Sequence, residues 1–380
     1  MKIGIITFWQ TRDNYGQMLQ CWALQHALKQ MGHEPFLIRY AHTEHTYPFR
    51  EKCRHLIVNL LKGRFSKLIL RQKKLGTLSN SEIKREFEKF KDKYLEKTND
   101  IYYSLDDLKK KMPEADCYIV GSDQVWSRDI FSDDGRVFML DFVPNTKKKI
   151  SYAASLGSAS KPQTYIKKLS SYLESFCAVS VREESGLSIC SQAGIQANLV
   201  VDPTLLLVKN DYRKEFELKE ANKNQIFIYS LNISDAEEIG WSKIKRLADS
   251  KNMSVVVTPS SGYILGTELF GDNVQYLYCT IHEWLNTINE SRFVITTSFH
   301  GVMICLQFHT PFVYVPLNGK FSNGNNRVLD FFKYLNINIP IYSDTFEYSS
   351  IFELEWDWYQ IDEKINVFRQ NSIKFLNDAL

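Results

Sequence analysis

Short apolar runs alternate with longer amphipathic stretches along most of the chain. Lys2–Phe8 is an apolar run suited to a buried parallel strand. A polar turn with Asn14 and Gly16 follows, then a helix with Leu19, Trp22, Ala23, Ala27 and Met31 on one face. Gly32 closes that helix and Pro35–Tyr40 resumes as a strand. Residues from about 42 to 100 break the alternation with charged, helix-compatible sequence. It then returns. Ser104 and Asp107 have the spacing of a capping box, and Asp116–Val120 and Lys149–Ala154 read as strands running into Gly121 and Ser155–Gly157. A helix from about Pro162 to Phe176 precedes strands at Ala178–Val181 and Asn198–Val201. A second series opens at Ile226–Leu231. It continues with a helix near 235–250, strand Ser254–Thr258, a helix near 281–290, strand Phe293–Thr296, a helix from Phe299 and strand Phe312–Val315. The last amphipathic stretch, about 359–378, carries Ile361, Ile365, Phe368, Ile373 and Phe375 or Leu376.

Strands alternating with helices imply parallel sheets covered on both faces. The two series meet near residues 208–224, so the expected fold class is α/β, two Rossmann-like domains with a cleft between them. The expected boundaries are 1–210, with a helical insertion at about 42–100, then 211–358, then a C-terminal helix at 359–380 that packs back on the first domain.

Composition removes several alternatives. A chain of 380 residues exceeds the usual size of one core. Its 47 Lys and Arg against 44 Asp and Glu leave a net charge of +3, too little for nucleic-acid binding through bulk positive field. The seven cysteines show no CxxC or Cys/His spacing of a zinc site, and most sit in apolar strings, as reduced core thiols of a cytosolic protein would. MKIGIITFW is too short for a signal peptide, and no apolar run approaches the roughly 20 residues of a membrane span.

Ligands of open parallel sheets bind beyond the carboxyl ends of the strands. Four segments stand there: Asn14-Tyr15-Gly16-Gln17, Gly121-Ser122-Asp123-Gln124-Val125-Trp126, Ser151–Gly157, and Ser298-Phe299-His300-Gly301. In the last, Ser298 would cap the helix and His300 would lie in its first turn, where amides attract an anion and the dipole disfavours an imidazolium. The same residues also fit a Ser that only caps and a His that bonds locally. Arg182 ends a strand and has the planar fork that binds a carboxylate or phosphate, or it pairs with Glu183 at the surface. Asp123 and Trp126 suit a sugar, by hydrogen bonding and ring stacking, or equally a cap and a core ring. Asp202-Pro203-Thr204 and Asp133-Asp134 read as turns, and His42 and His45 lack a third metal ligand. There is no GxGxxG, Walker loop, HExxH or GxSxG.

Charge is concentrated in one place. Residues 50–75 hold nine Lys and Arg against Glu51 alone, interleaved with Leu56, Ile57, Leu60, Phe65 and Ile69. That stretch carries +8 and the rest of the chain −5. It suits helices on an anionic membrane surface, or helices that cover the domain and expose their charges.

In this order, NYGQMLQCWAL, GSDQVW, SYAASLG, VREESG, VVDPTLLL and TSFHG resemble the polysaccharide pyruvyl transferase family, from Asn14 to about Leu335. GSDQVW and SFHG are the specific pieces. The resemblance implies two Rossmann-like domains similar to the GT-B glycosyltransferases. It also implies transfer of pyruvate from phosphoenolpyruvate onto two hydroxyls of a sugar, giving a cyclic ketal and phosphate in cell-surface or capsular polysaccharide assembly. His300 maps to the family's catalytic His and Arg182 to its donor-site Arg. On this reading Ser298, Phe299, Gly301, Lys320 and Arg327 bind the donor from the second domain. Asn14, Gly16, Asp123, Gln124, Trp126 and Ser155 line the acceptor side in the first. Phosphoenolpyruvate is a co-substrate, and no cofactor or metal is expected. The partner is a saccharide, and if it is lipid-linked, residues 50–75 meet the inner face of the membrane. An acidic residue is expected before Ser-Phe-His in many relatives, and here it is Thr297. A GT-B glycosyltransferase using a nucleotide sugar and a non-catalytic carbohydrate-binding protein are the alternative readings.

Overall fold

The computed structural model describes residues 1–11, 13–41, 85–219, 223–259 and 269–380. Strands β1 (Lys2–Ile6), β2 (Glu34–Leu37), β3 (Cys117–Val120) and β4 (Lys148–Ser151) form a parallel sheet in the order β2-β1-β3-β4. Strands β5 (Ser180–Val181) and β6 (Asn198–Leu199) extend it through parallel bridges from Ile150 to Ala178 and from Ala154 to Val181. The second sheet holds β7 (Lys223–Tyr229), β8 (Ser254–Val257), β9 (Gln275–Tyr276), β10 (Ser291–Thr296) and β11 (Phe312–Tyr314) in the order β11-β10-β7-β8-β9, again all parallel. Val, Ile and aromatic residues dominate the central strands because both faces are covered, as in the wholly buried β3. The architecture is the expected α/β pair of Rossmann-like halves.

The helix Tyr15–Gln30 joins β1 to β2 and is buried on nearly all sides rather than on one face. It lies in the seam between the halves. Tyr15 stacks on Trp284, at 5.1 Å between ring centroids, and meets Tyr229 edge-on. One hydrophobic core therefore runs through both halves, from Leu24 to Leu306, while two further clusters fill the outer faces. The helix Trp358–Ala379 returns to the first half as expected. Its Arg369 Nε donates to Leu205 O at 2.6 Å, and its Ser372 Oγ accepts from Val201 N at 2.9 Å.

Several local expectations change. The connection at 208–224 is not a plain linker, because Lys209–Phe216 is a helix whose Phe216 packs on Trp22. The two-residue strand β9 carries no legible pattern. Asp133 and Asp134 open a short helix instead of a turn, with Ser132 as its cap and Arg136 pairing with Asp133. The six described cysteines are free, and all but Cys177 are buried. No helix among the described residues is long and apolar enough to cross a membrane. The basic stretch at 50–75 and the His42/His45 pair lie outside the described residues.

Candidate active site

The carboxyl ends of both sheets face the seam, and the site grows from the residues that follow β3, β5, β6 and β10. After β10, Ser298 adopts extended backbone and caps the helix Phe299–Phe308, its Oγ accepting from Gly301 N at 3.2 Å. Gly301 is needed there because a Cβ would stand 2.7 Å from Thr296 Oγ1. His300 then lies in the first turn of a wholly buried, apolar helix, itself only 5% exposed.

Across the seam stands Asp202, which follows β6 and is 1% exposed. Its Oδ1 accepts from Thr204 N at 3.0 Å and Thr204 Oγ1 at 2.8 Å. Its Oδ2 accepts from Arg182 Nη1 at 2.7 Å and from Ser122 Oγ at 3.0 Å, and lies 3.5 Å from His300 Nε2. Burial alone would raise the Asp202 carboxyl, but His300 and then Arg182 outweigh it and hold it well below the usual carboxylate range. Arg182 is buried as well, which disfavours its charge. Glu183, Asp202 and Asp123, in that order, more than restore it. The Arg182–Glu183 pair does form, at 3.4 Å, but in the interior and not at the surface. One Arg182 nitrogen, Nη2, is buried and has no hydrogen-bond partner among the described residues.

Phe299 joins the two cations of the site. The guanidinium carbon of Arg182 is 4.6 Å from its ring centroid and that of Arg327 is 5.9 Å away. Arg327 bonds to Gly324 O at 3.2 Å and meets no carboxylate among the described residues. Burial first, and then the charge of Arg182, push its pKa down. A guanidinium in that state gains from any anion that enters.

Gly16 has a different place from the one expected. A Cβ at this position would fall inside the imidazole of His300, against Cγ and Nδ1. The residue is a gap in the seam helix that lets the ring approach. Gly16→Ala is therefore expected to cost about 1–3 kcal/mol of stability by overpacking, read as a lower urea midpoint with an unchanged slope.

The remaining acceptor-side residues divide. Asp123 joins the cluster; its backbone is left-handed (φ 78°), and its carboxylate accepts from Gln17 Nε2 at 3.3 Å. Gln124 is half-buried beside it. Asn14 caps the seam helix, accepting from Gln17 N at 3.1 Å. Ser155 is fully buried, and its Oγ accepts from Gly157 N. Trp126 is 1% exposed and donates from its indole to Phe138 O, so it fills the core instead of offering a face to a sugar. Lys320 follows β11 in a 3-10 turn. Thr297 bridges Leu231 N and O, tying β10 to β7, and the acid beside His300 is Asp202.

Sequence reasoning missed Asp202, Ser122, Thr204 and Arg85. Arg85 is buried in the seam, donating to Tyr15 OH at 2.6 Å and to Pro259 O. The available signal for Asp202 was an Asp at a strand end followed by Pro, which sits at the first position of the helix Pro203–Leu206. Among the described residues no group of three or more His, Cys, Asp or Glu is placed to hold a metal ion.

No curated protein matches the chain. The fold is similar to a putative UDP-N-acetylglucosamine 2-epimerase from Listeria monocytogenes, at 11% identity over 97% of this chain and 90% of that one, TM-score 0.51. The UDP-GlcNAc 2-epimerase from Methanocaldococcus jannaschii is similar at 10% identity over 97% and 93%, TM-score 0.49. An α-glucosyltransferase solved with UDP is similar at 11% identity over 99% and 95%, TM-score 0.48. The fold is the GT-B arrangement. The family model described as polysaccharide pyruvyl transferase matches residues 14–318, from the seam helix through the His300 helix to the loop after β11. The chain belongs to the polysaccharide pyruvyl transferase family.

Proposed function

We propose that the protein transfers the pyruvyl group of phosphoenolpyruvate onto two hydroxyls of a sugar, forming a cyclic ketal in cell-surface polysaccharide synthesis. One observation carries this reading: Arg327, a half-buried cation in contact with no carboxylate among the described residues, shares the Phe299 ring with Arg182. Phosphoenolpyruvate presents two anionic groups a few ångströms apart, and this site offers two guanidiniums on one ring, that of Phe299, next to His300 in the chain. Arg182 gives its Nη2 to the carboxylate, and Arg327 takes the phosphate together with the first-turn amides of Phe299 and His300.

His300 protonates the methylene carbon, which becomes the methyl group, and positive charge develops at C2. A sugar hydroxyl adds its oxygen to C2 and returns its proton to His300. The C2–O bond to phosphate then breaks with its electrons, phosphate leaves, and the second hydroxyl closes the ring as its proton passes to the departing phosphate. Phosphoenolpyruvate and a diol become a ketal and phosphate. The first half, to about residue 210, takes the sugar near Asp123 and Gln124, and residues 211–358, with Lys320 in the loop after β11, close over the donor. A lipid-linked acceptor places the enzyme at the inner face of the membrane.

Purified protein with phosphoenolpyruvate and a panel of diol-bearing saccharides is expected to release phosphate and give a ketal methyl signal by NMR. Arg327→Met should raise KM for phosphoenolpyruvate by about tenfold or more, the loss of one charge-assisted contact. Saturable UDP-sugar binding with no response to phosphoenolpyruvate would overturn the reading.

A further inference from the structure

The pair of residues that the reaction uses, His300 and Arg182, comes from opposite halves of the molecule, and one buried oxygen touches both. Asp202 Oδ1 is committed to Thr204 by two hydrogen bonds, at 3.0 and 2.8 Å. That fixes the carboxylate plane and leaves Oδ2 as the acceptor for Arg182 Nη1 and Ser122 Oγ, with His300 Nε2 facing it at 3.5 Å. All three are donors when they face it, including an imidazole with its proton on Nε2. His300 Nε2 is buried and has no hydrogen-bond partner among the described residues, so a proton on the other nitrogen alone sets a bare lone pair 3.5 Å from a buried anion. The other ring nitrogen, Nδ1, lies against the side-chain-free Gly16.

We propose that Asp202 is the positioning residue of this site: its Oδ2 aligns His300 and Arg182 together and fixes the imidazole proton on Nε2. The catalytic consequence rests on the pyruvyl-transfer reading, whereas the tautomer does not. The charged groups around Arg182, besides Asp202, are Glu183, Asp123 and, across Phe299, Arg327. Arg182 remains paired with Glu183 without Asp202, so a donor-binding cation survives its loss.

Asp202→Asn gives the test a sign. The amide oxygen takes the place pinned by Thr204, and the amide NH2 then confronts Arg182, Ser122 and His300. His300 Nε2 must become an acceptor, and its proton moves to Nδ1.

Nitrogen-15 histidine NMR of the full chain, with His300→Gln to assign the signal, reads this without turnover. In its neutral form His300 is expected to be protonated on Nε2 in the wild type and on Nδ1 in Asp202→Asn. With phosphoenolpyruvate and acceptor, Asp202→Asn is expected to lower kcat by about 100-fold or more while KM for phosphoenolpyruvate changes by less than about tenfold. A wild-type His300 protonated on Nδ1, or an Asp202→Asn kcat within threefold of wild type, overturns the proposal. If Asp202→Asn does not fold, the wild-type tautomer still decides it. A wild type that turns over no phosphoenolpyruvate strikes the pyruvyl-transfer reading alone and leaves the tautomer measurement intact.

Discussion

His300→Gln is expected to lower kcat for pyruvyl transfer by about 10²- to 10⁴-fold while leaving phosphoenolpyruvate bound. The ring is the sole imidazole among the described residues of the site, and no neighbour can take its place as acid. Asp202 is held ionised, and the guanidiniums of Arg182 and Arg327 do not give up a proton at neutral pH. Binding should persist because both arginines and the first-turn amides at residues 299 and 300 survive the change. Glutamine also preserves a polar group opposite Asp202, so the fold should hold. Single-turnover chemistry, set beside the thermal shift produced by phosphoenolpyruvate, separates the two effects. A variant with both binding and chemistry within threefold of wild type would remove His300 from the mechanism.

Arg182→Met is expected to cost more in stability than any other single change at the site, about 3–5 kcal/mol near neutral pH. Its cation is what allows two carboxylates, Asp202 and Glu183, to remain buried side by side. The sign of the pH dependence follows from Asp202. Its carboxyl is depressed in the folded protein, so its contribution is present above the unfolded carboxylate range, roughly pH 4, and fades as pH falls below it. In Arg182→Met the carboxyl protonates more readily and the stranded charge is relieved. The deficit relative to wild type should therefore be largest near pH 7 and smaller near pH 4, as read by urea unfolding at both. A deficit that stays constant with pH would mean that Arg182 supports the fold by packing on Phe299 and not through its charge.

The order and type of the elements were legible because covered parallel strands must be apolar runs and their partner helices amphipathic. The seam helix, the His300 helix and the C-terminal helix all begin within a residue or two of where the pattern places them. What escaped was set by partners distant in sequence. Gly16 looks like a turn glycine until His300 arrives from the other half to occupy the space of its missing side chain. Asp202 reads as a local turn because nothing near it in sequence announces that its carboxylate will be sealed between Arg182 and His300. Trp126 failed in the opposite direction: an aromatic ring after a strand fits a sugar platform and a core equally well, and only its bond to Phe138 decides. Ser298 and His300 were placed correctly because a helix cap is a local device.

The helix Trp358–Ala379 gives the site a property beyond its geometry. Its two hydrogen bonds bracket Asp202, one to Val201 and one to Leu205, across sequence separations of 171 and 164 residues. Closing loops of that length is worthwhile only once most of the chain is already ordered. The segment around Asp202 is therefore held from the far end of the chain, by a helix whose Ile361, Ile365, Phe368 and Leu376 are sealed into the core shared by both halves.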